Sequence, residues 1–378
     1  MQLKFPSMRP LLVVLAAIFF AAHAHASTTP CNAAFAPETG KSFGWQGADA
    51  AYSIPLPDGR DVWIFGDTLY GTQRVVDGND PLMVHNSLGI STCDSGHWKL
   101  HYVLRHDAKG HPLSFFSPAD QKHWYWALDG FYANGDLWVT LLCIHHSTMP
   151  APAGMDFETC GADLAQISGL NHDPEHWQVT VHPLVADGLK AYPSATTVVH
   201  DGYTYLFAIY ENGTRPLMVT RIPLPGLNDP ATHLEYLGDD NAWHPGFDPA
   251  HAKEVMSQGS PELSIRYHPE LKQWIAVSFD SAAFSDRIIL RTAPSLTGPW
   301  TDPHNAATLY RVPEMQAGPK HDKNIFCYAG KEHPELEVSG DIVFTYVCNT
   351  FSPPELMSRP DIYLPQVIRE PMMSAASR

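Results

Sequence analysis

Residues Gly47 to Thr68 read GADAAYSIPLPDGRDVWIFGDT. Pro57-Asp58-Gly59-Arg60 supplies turn chemistry between two arms rich in apolar and aromatic residues, which is a hairpin signal. The second arm, DVWIFGD from Asp61, has four counterparts downstream. They are DLWVTLL from Asp136, YTYLFAI from Tyr203, KQWIAVS from Lys272 and DIVFTYV from Asp341. Their third residues, Trp63, Trp138, Tyr205, Trp274 and Val343, are 75, 67, 69 and 69 residues apart. Each follows a tight turn: PDGR, ANGD, HDGY, HPEL and EVSG in that order. Further strands read RPLMVTRIPL from Arg215 and RIILRTAP from Arg287, and the chain has no long amphipathic helix. Five strand-rich units of near-constant length predict an all-β fold, a five-bladed β-propeller around a central channel. A large β-sandwich would require the spacing to be accidental. We read one domain over residues 27–378, with the Pro-rich stretch Met149 to Gly154 as an insertion in blade two.

Residues 1–26 read as an export signal. Lys4 and Arg9 precede the apolar run Leu11 to Ala22, and Ala24-His25-Ala26 supplies a small-x-small cleavage site. The run is short for a membrane span, and no later stretch approaches about 18 apolar residues. The protein is therefore expected to be secreted or periplasmic. The chain holds 24 Lys+Arg against 40 Asp+Glu, a net charge of −16, and loss of Lys4 and Arg9 makes it −18. An acidic surface disfavours nucleic acid and anionic membrane as partners and accommodates a neutral polysaccharide. A monomer is expected. Six cysteines in an oxidising compartment imply disulfides. Connectivity does not follow from sequence, but Cys143–Cys160 and Cys327–Cys348 are the most local pairs, which leaves Cys31–Cys93.

Propellers bind ligands at the channel mouth, where the innermost strands begin. In the blade-one hairpin, Asp49 lies nine residues before the turn centre at Asp58 and Asp67 nine after it. That symmetry predicts two carboxylates directly opposed, about 4.5–5.5 Å apart at Cβ. Opposed acids raise one another's pKa, which yields the acid and carboxylate pair that glycoside hydrolysis requires. Asp49 and Asp67 are accordingly the candidate catalytic residues. The same offset in the other blades reaches Trp124-Tyr125-Trp126, Tyr192, Pro261-Glu262 and Tyr328. Where blade one has Asp67, the other blades have Leu142, Ile209, Ser278 and Val347, so the acid departs from the repeat. Glu262 is a third acid, and Trp124, Trp126 and Tyr192 offer faces for sugar rings. Asp129 lies within its strand, and Lys331 and His333 are placed to reach the channel from blade five; these complete the candidate substrate-binding set. A cap role for Asp67 and a structural role for Asp49 are the competing readings. His145-His146 and His172 with His176 lack carboxylates at HExxH spacing, so no metal ligands are assigned. No cofactor is expected, with a structural cation in the channel left open. A non-catalytic sugar-binding propeller is the alternative function.

The segment GWQGADAAYSIPLPDGRDVWIFGDT resembles the opening blade of the domain-of-unknown-function family numbered 4185, part of which is classed as glycoside hydrolase family 183, the endo-D-arabinanases. GSPELSIRYHP, YAGKEHPEL and TYVCN resemble its later blades, so the likeness spans most of the chain. It implies a five-bladed propeller with the essential acids in the GAD and FGDT elements, here Asp49 and Asp67; the substrate does not follow from the likeness, and arabinan is one polysaccharide among those to expect.

Overall fold

The computed structural model describes residues 29–72, 82–120, 122–150, 156–211, 213–281, 285–318 and 322–372. The export segment 1–26 and residues 151–154 of the Pro-rich insertion lie outside them. Five antiparallel sheets follow one another along the chain. Blade one contains β1 (Gly44–Pro55), β2 (Asp61–Gly71), β3 (Leu82–Val84), β4 (Ser87–Asp94) and β5 (His97–Val103), in the order β1-β2-β4-β5 with β3 pairing β2. The ribbon β6 (Arg105–His106) and β7 (Pro112–Leu113) leads to blade two. There β8 (His123–Ala133), β9 (Asp136–His146), β10 (Phe157–Ser168) and β11 (Gln178–Ala186) run in sequence order. Blade three is β12 (Ala191–His200), β13 (Tyr203–Tyr210), β14 (Leu217–Pro223), β15 (Glu235–Leu237) and β16 (Trp243–Pro245). Blade four is β17 (Leu263–His268), β18 (Gln273–Phe279), β19 (Arg287–Ala293) and β20 (Ala307–Arg311). Blade five is β21 (Ile325–Glu332), β22 (Asp341–Thr350) and β23 (Gln366–Pro371).

All five repeat markers fall on the second strand of a blade: Trp63 on β2, Trp138 on β9, Tyr205 on β13, Trp274 on β18 and Val343 on β22. The turns before them have the chemistry that their geometry demands. Asn134-Gly135 and Asp201-Gly202 each place two successive residues at positive φ, the backbone of a two-residue type I′ hairpin. Neighbouring blades bury one hydrophobic cluster at every seam. Tyr52, Ile54, Ile64, Leu137 and Val139 join blades one and two, and Phe131, Trp138, Leu206 and Ile222 join two and three. Phe207, Val219, Ile265 and Ala276 join three and four; Ile275, Val277, Phe344 and Tyr346 join four and five. The ring closes where Leu336 and Val343 of the last blade meet Trp45, Trp63 and Phe65 of the first. A fully buried side chain such as Phe65 contributes roughly 1.5–3 kcal/mol, and among the described residues no strand is shared between the first and last blades.

All three disulfides form as the local pairing anticipated. Cys143–Cys160 links β9 to β10, and Cys327–Cys348 joins directly paired residues of β21 and β22. Cys31–Cys93 ties the N-terminal segment to the end of β4. No helix among the described residues is long and apolar enough to cross a membrane.

Candidate active site

The blade-one hairpin does not keep the symmetric register that counting from its turn implies. Ala48 pairs Thr68, but the next pair is Ala50 with Phe65 and the next Tyr52 with Ile64. Asp49 therefore faces two residues, Gly66 and Asp67, across a β-bulge, and is not directly opposed to Asp67 alone. Ala50 and Ala51 both take positive φ to make the step. A Cβ at position 66 would collide with Asp49 Oδ1, so the glycine of FGDT is the space that the Asp49 carboxyl group fills. Bulges recur at the same level in blades two, three and five, at Ala127/Gly130, Pro193/Thr196 and Tyr328/Lys331.

The two acids line one cavity of about 270 Å³, with Trp126, Phe157, Glu262, Phe326, Tyr328, Asn349 and Tyr363. The Tyr328 hydroxyl donates to Asp49 Oδ2 at 2.7 Å, and Tyr363 also hydrogen-bonds Asp49. Burial, then the charges of Asp67 and Glu262, push the Asp49 carboxyl group up to about 8, and the tyrosine hydrogen bonds only partly oppose them. Asp67 has different partners. Its Oδ1 accepts from Trp126 Nε1 at 3.1 Å and lies 3.0 Å from His85 Nδ1. His85 is held by its neighbour Asn86, whose buried amide bonds the backbone of Phe116 and Tyr125. Glu262 sits just before β17, and its Oε2 accepts from Lys331 Nζ at 2.7 Å. Lys331 is fully buried on the channel side of blade five, also donates to the Ala50 carbonyl, and lies over the Tyr52 ring. Burial lowers the Lys331 pKa, and the Glu262 and Asp49 charges oppose the shift.

Asp49, Asp67, Glu262 and Trp126 thus come together. The other residues of the expected set are placed differently. Trp124 lies farther out on the face it shares with Trp126 and stacks on His85 at 4.8 Å. Tyr192 lines a neighbouring cleft of about 660 Å³ that shares Trp126, Leu128, Phe157 and Glu262 with the first cavity. Asp129 is not directed to the ligand space. It sits in the blade-two bulge and bonds Thr196 Oγ1 at 2.7 Å and the Thr197 and Gly130 amides at 2.8 Å. His333 does not reach the mouth: it is buried between Ser53 and Thr345, 4.9 Å from the Trp63 ring. His85, Phe157, Phe326, Asn349 and Tyr363 belong to the site or its support and carried no repeat signal. A cavity of about 840 Å³ lined by Ile54, Leu56, Phe131, Ile265 and Trp274 opens at the opposite end, away from the acids.

The family model described as "Domain of unknown function (DUF5005)" matches residues 35–369. The chain belongs to that family. The likeness of the blade-one motifs to the family numbered 4185 stays a resemblance beside this match. No curated protein sequence matches the chain. A Bacteroides ovatus protein designated a hydrolase is similar in structure, with a TM-score of 0.67 at 18% identity over 87% of this chain and 86% of that one. The exo-β-1,3-galactanase of Phanerochaete chrysosporium is similar at a TM-score of 0.50 and 11% identity, over 92% of this chain and 65% of that one. At these identities both likenesses speak to the propeller fold alone, and the DUF5005 chain's chemistry has to be argued from its own residues.

Proposed function

We propose that this protein is a glycoside hydrolase that cleaves a polysaccharide outside the cytoplasm, with Asp49 as the acid and Asp67 as the working carboxylate. The observation that carries the reading is the unequal environment of two acids facing across one bulge. Asp49 holds its proton at neutral pH because it is desolvated and surrounded by negative charge. Asp67 Oδ1 accepts from an indole N–H, which can only donate, and lies 3.0 Å from His85 Nδ1, so Asp67 is held by polar partners that Asp49 lacks. Such a division of two carboxyl groups is the working state of a glycosidase.

In the reaction, the Asp49 proton passes to the leaving glycosidic oxygen as the bond to the anomeric carbon breaks. Asp67 takes a proton from the attacking water, or itself attacks the anomeric carbon before water releases the sugar. Trp126, Phe157 and Tyr328 supply ring faces around the reacting sugar, and Glu262, fixed by Lys331, accepts from its hydroxyls. The adjoining cleft with Tyr192 takes the following residues of the chain. Its continuity with the acid pocket suits a polymer better than a free monosaccharide.

Arabinan is the first substrate to test, because the motifs around Asp49 and Asp67 resemble those of the endo-D-arabinanases. Three disulfides suit an oxidising compartment. Neither acid is spent on backbone amides as a sugar-binding propeller would allow, so no observation favours that alternative. Release of reducing ends from arabinan should be lost in Asp49→Asn and in Asp67→Asn. Wild-type rates in both correctly folded variants would overturn the assignment.

A further inference from the structure

A second group of ionisable residues gathers where blades four and five meet, at the far end of the strands from Asp49. His268 closes β17, Glu332 closes β21, and Glu337 follows the short turn Pro334–Leu336. One ligand atom from each lies within 4.8 Å of the other two. The Glu332 side chain is wholly buried, and neither of its carboxylate oxygens has a hydrogen-bond partner. His268 Nε2 is also without one, although it lies 2.6 Å from Glu332 Oε1, off the line of a hydrogen bond. Glu332 Oε1 and Oε2 and His268 Nε2 therefore converge as buried ligand atoms, and the close contact they make is with one another. Native proteins seldom leave such atoms empty.

The surroundings orient the group as a ligand set. His268 Nδ1 lies 3.0 Å from Glu270 Oε1, and a carboxylate there fixes the tautomer that leaves the Nε2 lone pair facing inward. The Glu332 backbone donates to Ser264 Oγ at 2.8 Å, which anchors β21 against β17. Glu337 Oε1 accepts from the Val343 amide at 3.0 Å, which places its carboxylate beside Glu332. Glu337 is half-buried and gives the group its opening to solvent.

We propose that His268, Glu332 and Glu337 bind a divalent first-row transition cation that clips blade four to blade five. One imidazole with two carboxylates suits zinc best. Calcium and magnesium prefer sets made of oxygen alone. Two donors each about 2.1 Å from one ion stand at most about 4.2 Å apart, so small side-chain movements complete the site.

The test uses the full protein, stripped with EDTA and titrated with zinc chloride by calorimetry, with calcium chloride in parallel. Zinc should fill one strong site, and a hundredfold excess over its Kd should raise Tm by a few degrees. Glu332→Gln and, should that variant fold poorly, Glu337→Gln on the solvent side should lose both effects. His176→Ala should keep them, because it removes only the exposed group Asp173, Glu175 and His176, the other place where three such residues gather among those described. No strong zinc site in the wild type would mean a His268–Glu332 ion pair beside a protonated Glu337, and the proposal fails. It fails equally if both glutamate variants keep the site, or if His176→Ala abolishes it.

Discussion

Asp49→Asn should inactivate the protein and at the same time stabilise it. Folding moves the Asp49 carboxyl group from 3.8 to about 8, so at neutral pH the folded state takes up a proton that the unfolded chain does not hold. A carboxyl group raised in this way weakens the fold as pH rises. Its contribution is favourable or neutral below about pH 4, declines between the two pKa values, and is level again above about 8. At 1.36 kcal/mol per unit, the ceiling at pH 7 is about 4 kcal/mol. Asp49 lies at a solvent-accessible mouth, where water screens part of this effect, so a gain of about 1–3 kcal/mol is the expected measurement. Asparagine keeps the acceptor for Tyr328 while removing the charge. Urea unfolding of both proteins between pH 4 and pH 8, disulfides intact, measures the difference. It should be near zero at pH 4 and grow towards pH 8. A variant that is no more stable at pH 7, or whose gain is the same at pH 4, would refute the electrostatic account of Asp49.

Three other substitutions probe the same site. Gly66→Ala forces a methyl group into the space of Asp49 Oδ1, and kcat should fall by about 10²-fold or more, as expected when an acid catalyst is misplaced; an unchanged kcat would show that the bulge does not position the acid. Trp126→Phe keeps a ring but removes the Nε1 donor to Asp67, so kcat/KM should fall by about 5- to 10-fold, the scale of one lost hydrogen bond of about 1 kcal/mol. An unchanged kcat/KM would mean that the indole does not hold Asp67 in its working position. Lys331→Met strands the Glu262 carboxylate beside Asp49, and urea unfolding should register a loss of about 3–5 kcal/mol, as for other broken buried pairs. A loss below about 1 kcal/mol would indicate that Glu262 is solvated rather than dependent on the lysine.

The architecture was legible because blade identity is carried by a local signal repeated five times. Trp63, Trp138, Tyr205 and Trp274 pack blade against blade, and the Gly, Asn and Asp turns before them are fixed by backbone sterics. The acids were legible for a related reason, since Asp67 stands where other blades have Leu142, Ile209, Ser278 and Val347. The register between Asp49 and Asp67 was not. The bulge depends on positive φ at two alanines, Ala50 and Ala51, which carry no sequence mark of that conformation. His85 and Tyr363 reach the site from segments outside the inner hairpins, so counting from turns could not find them. Asp129 and His333, named for their strand positions and not by that counting, do not line the cavity of the acids. A bulge turns Asp129 onto the Thr197 amide and Thr196 hydroxyl of blade three, and His333 lies one residue beyond the end of β21 among core side chains.

The central claim is the division of labour between Asp49 and Asp67, and leaving-group chemistry tests it most directly. Rates of wild type, Asp49→Ala and Asp67→Ala would be compared on the natural polysaccharide and on a dinitrophenyl glycoside of the same sugar, whose leaving group needs no proton. Asp49→Ala should be nearly inactive on the polysaccharide but recover most of the wild-type rate on the dinitrophenyl glycoside, while Asp67→Ala stays inactive on both. Recovery by Asp67→Ala instead, or equal losses by both variants on both substrates, would contradict the account.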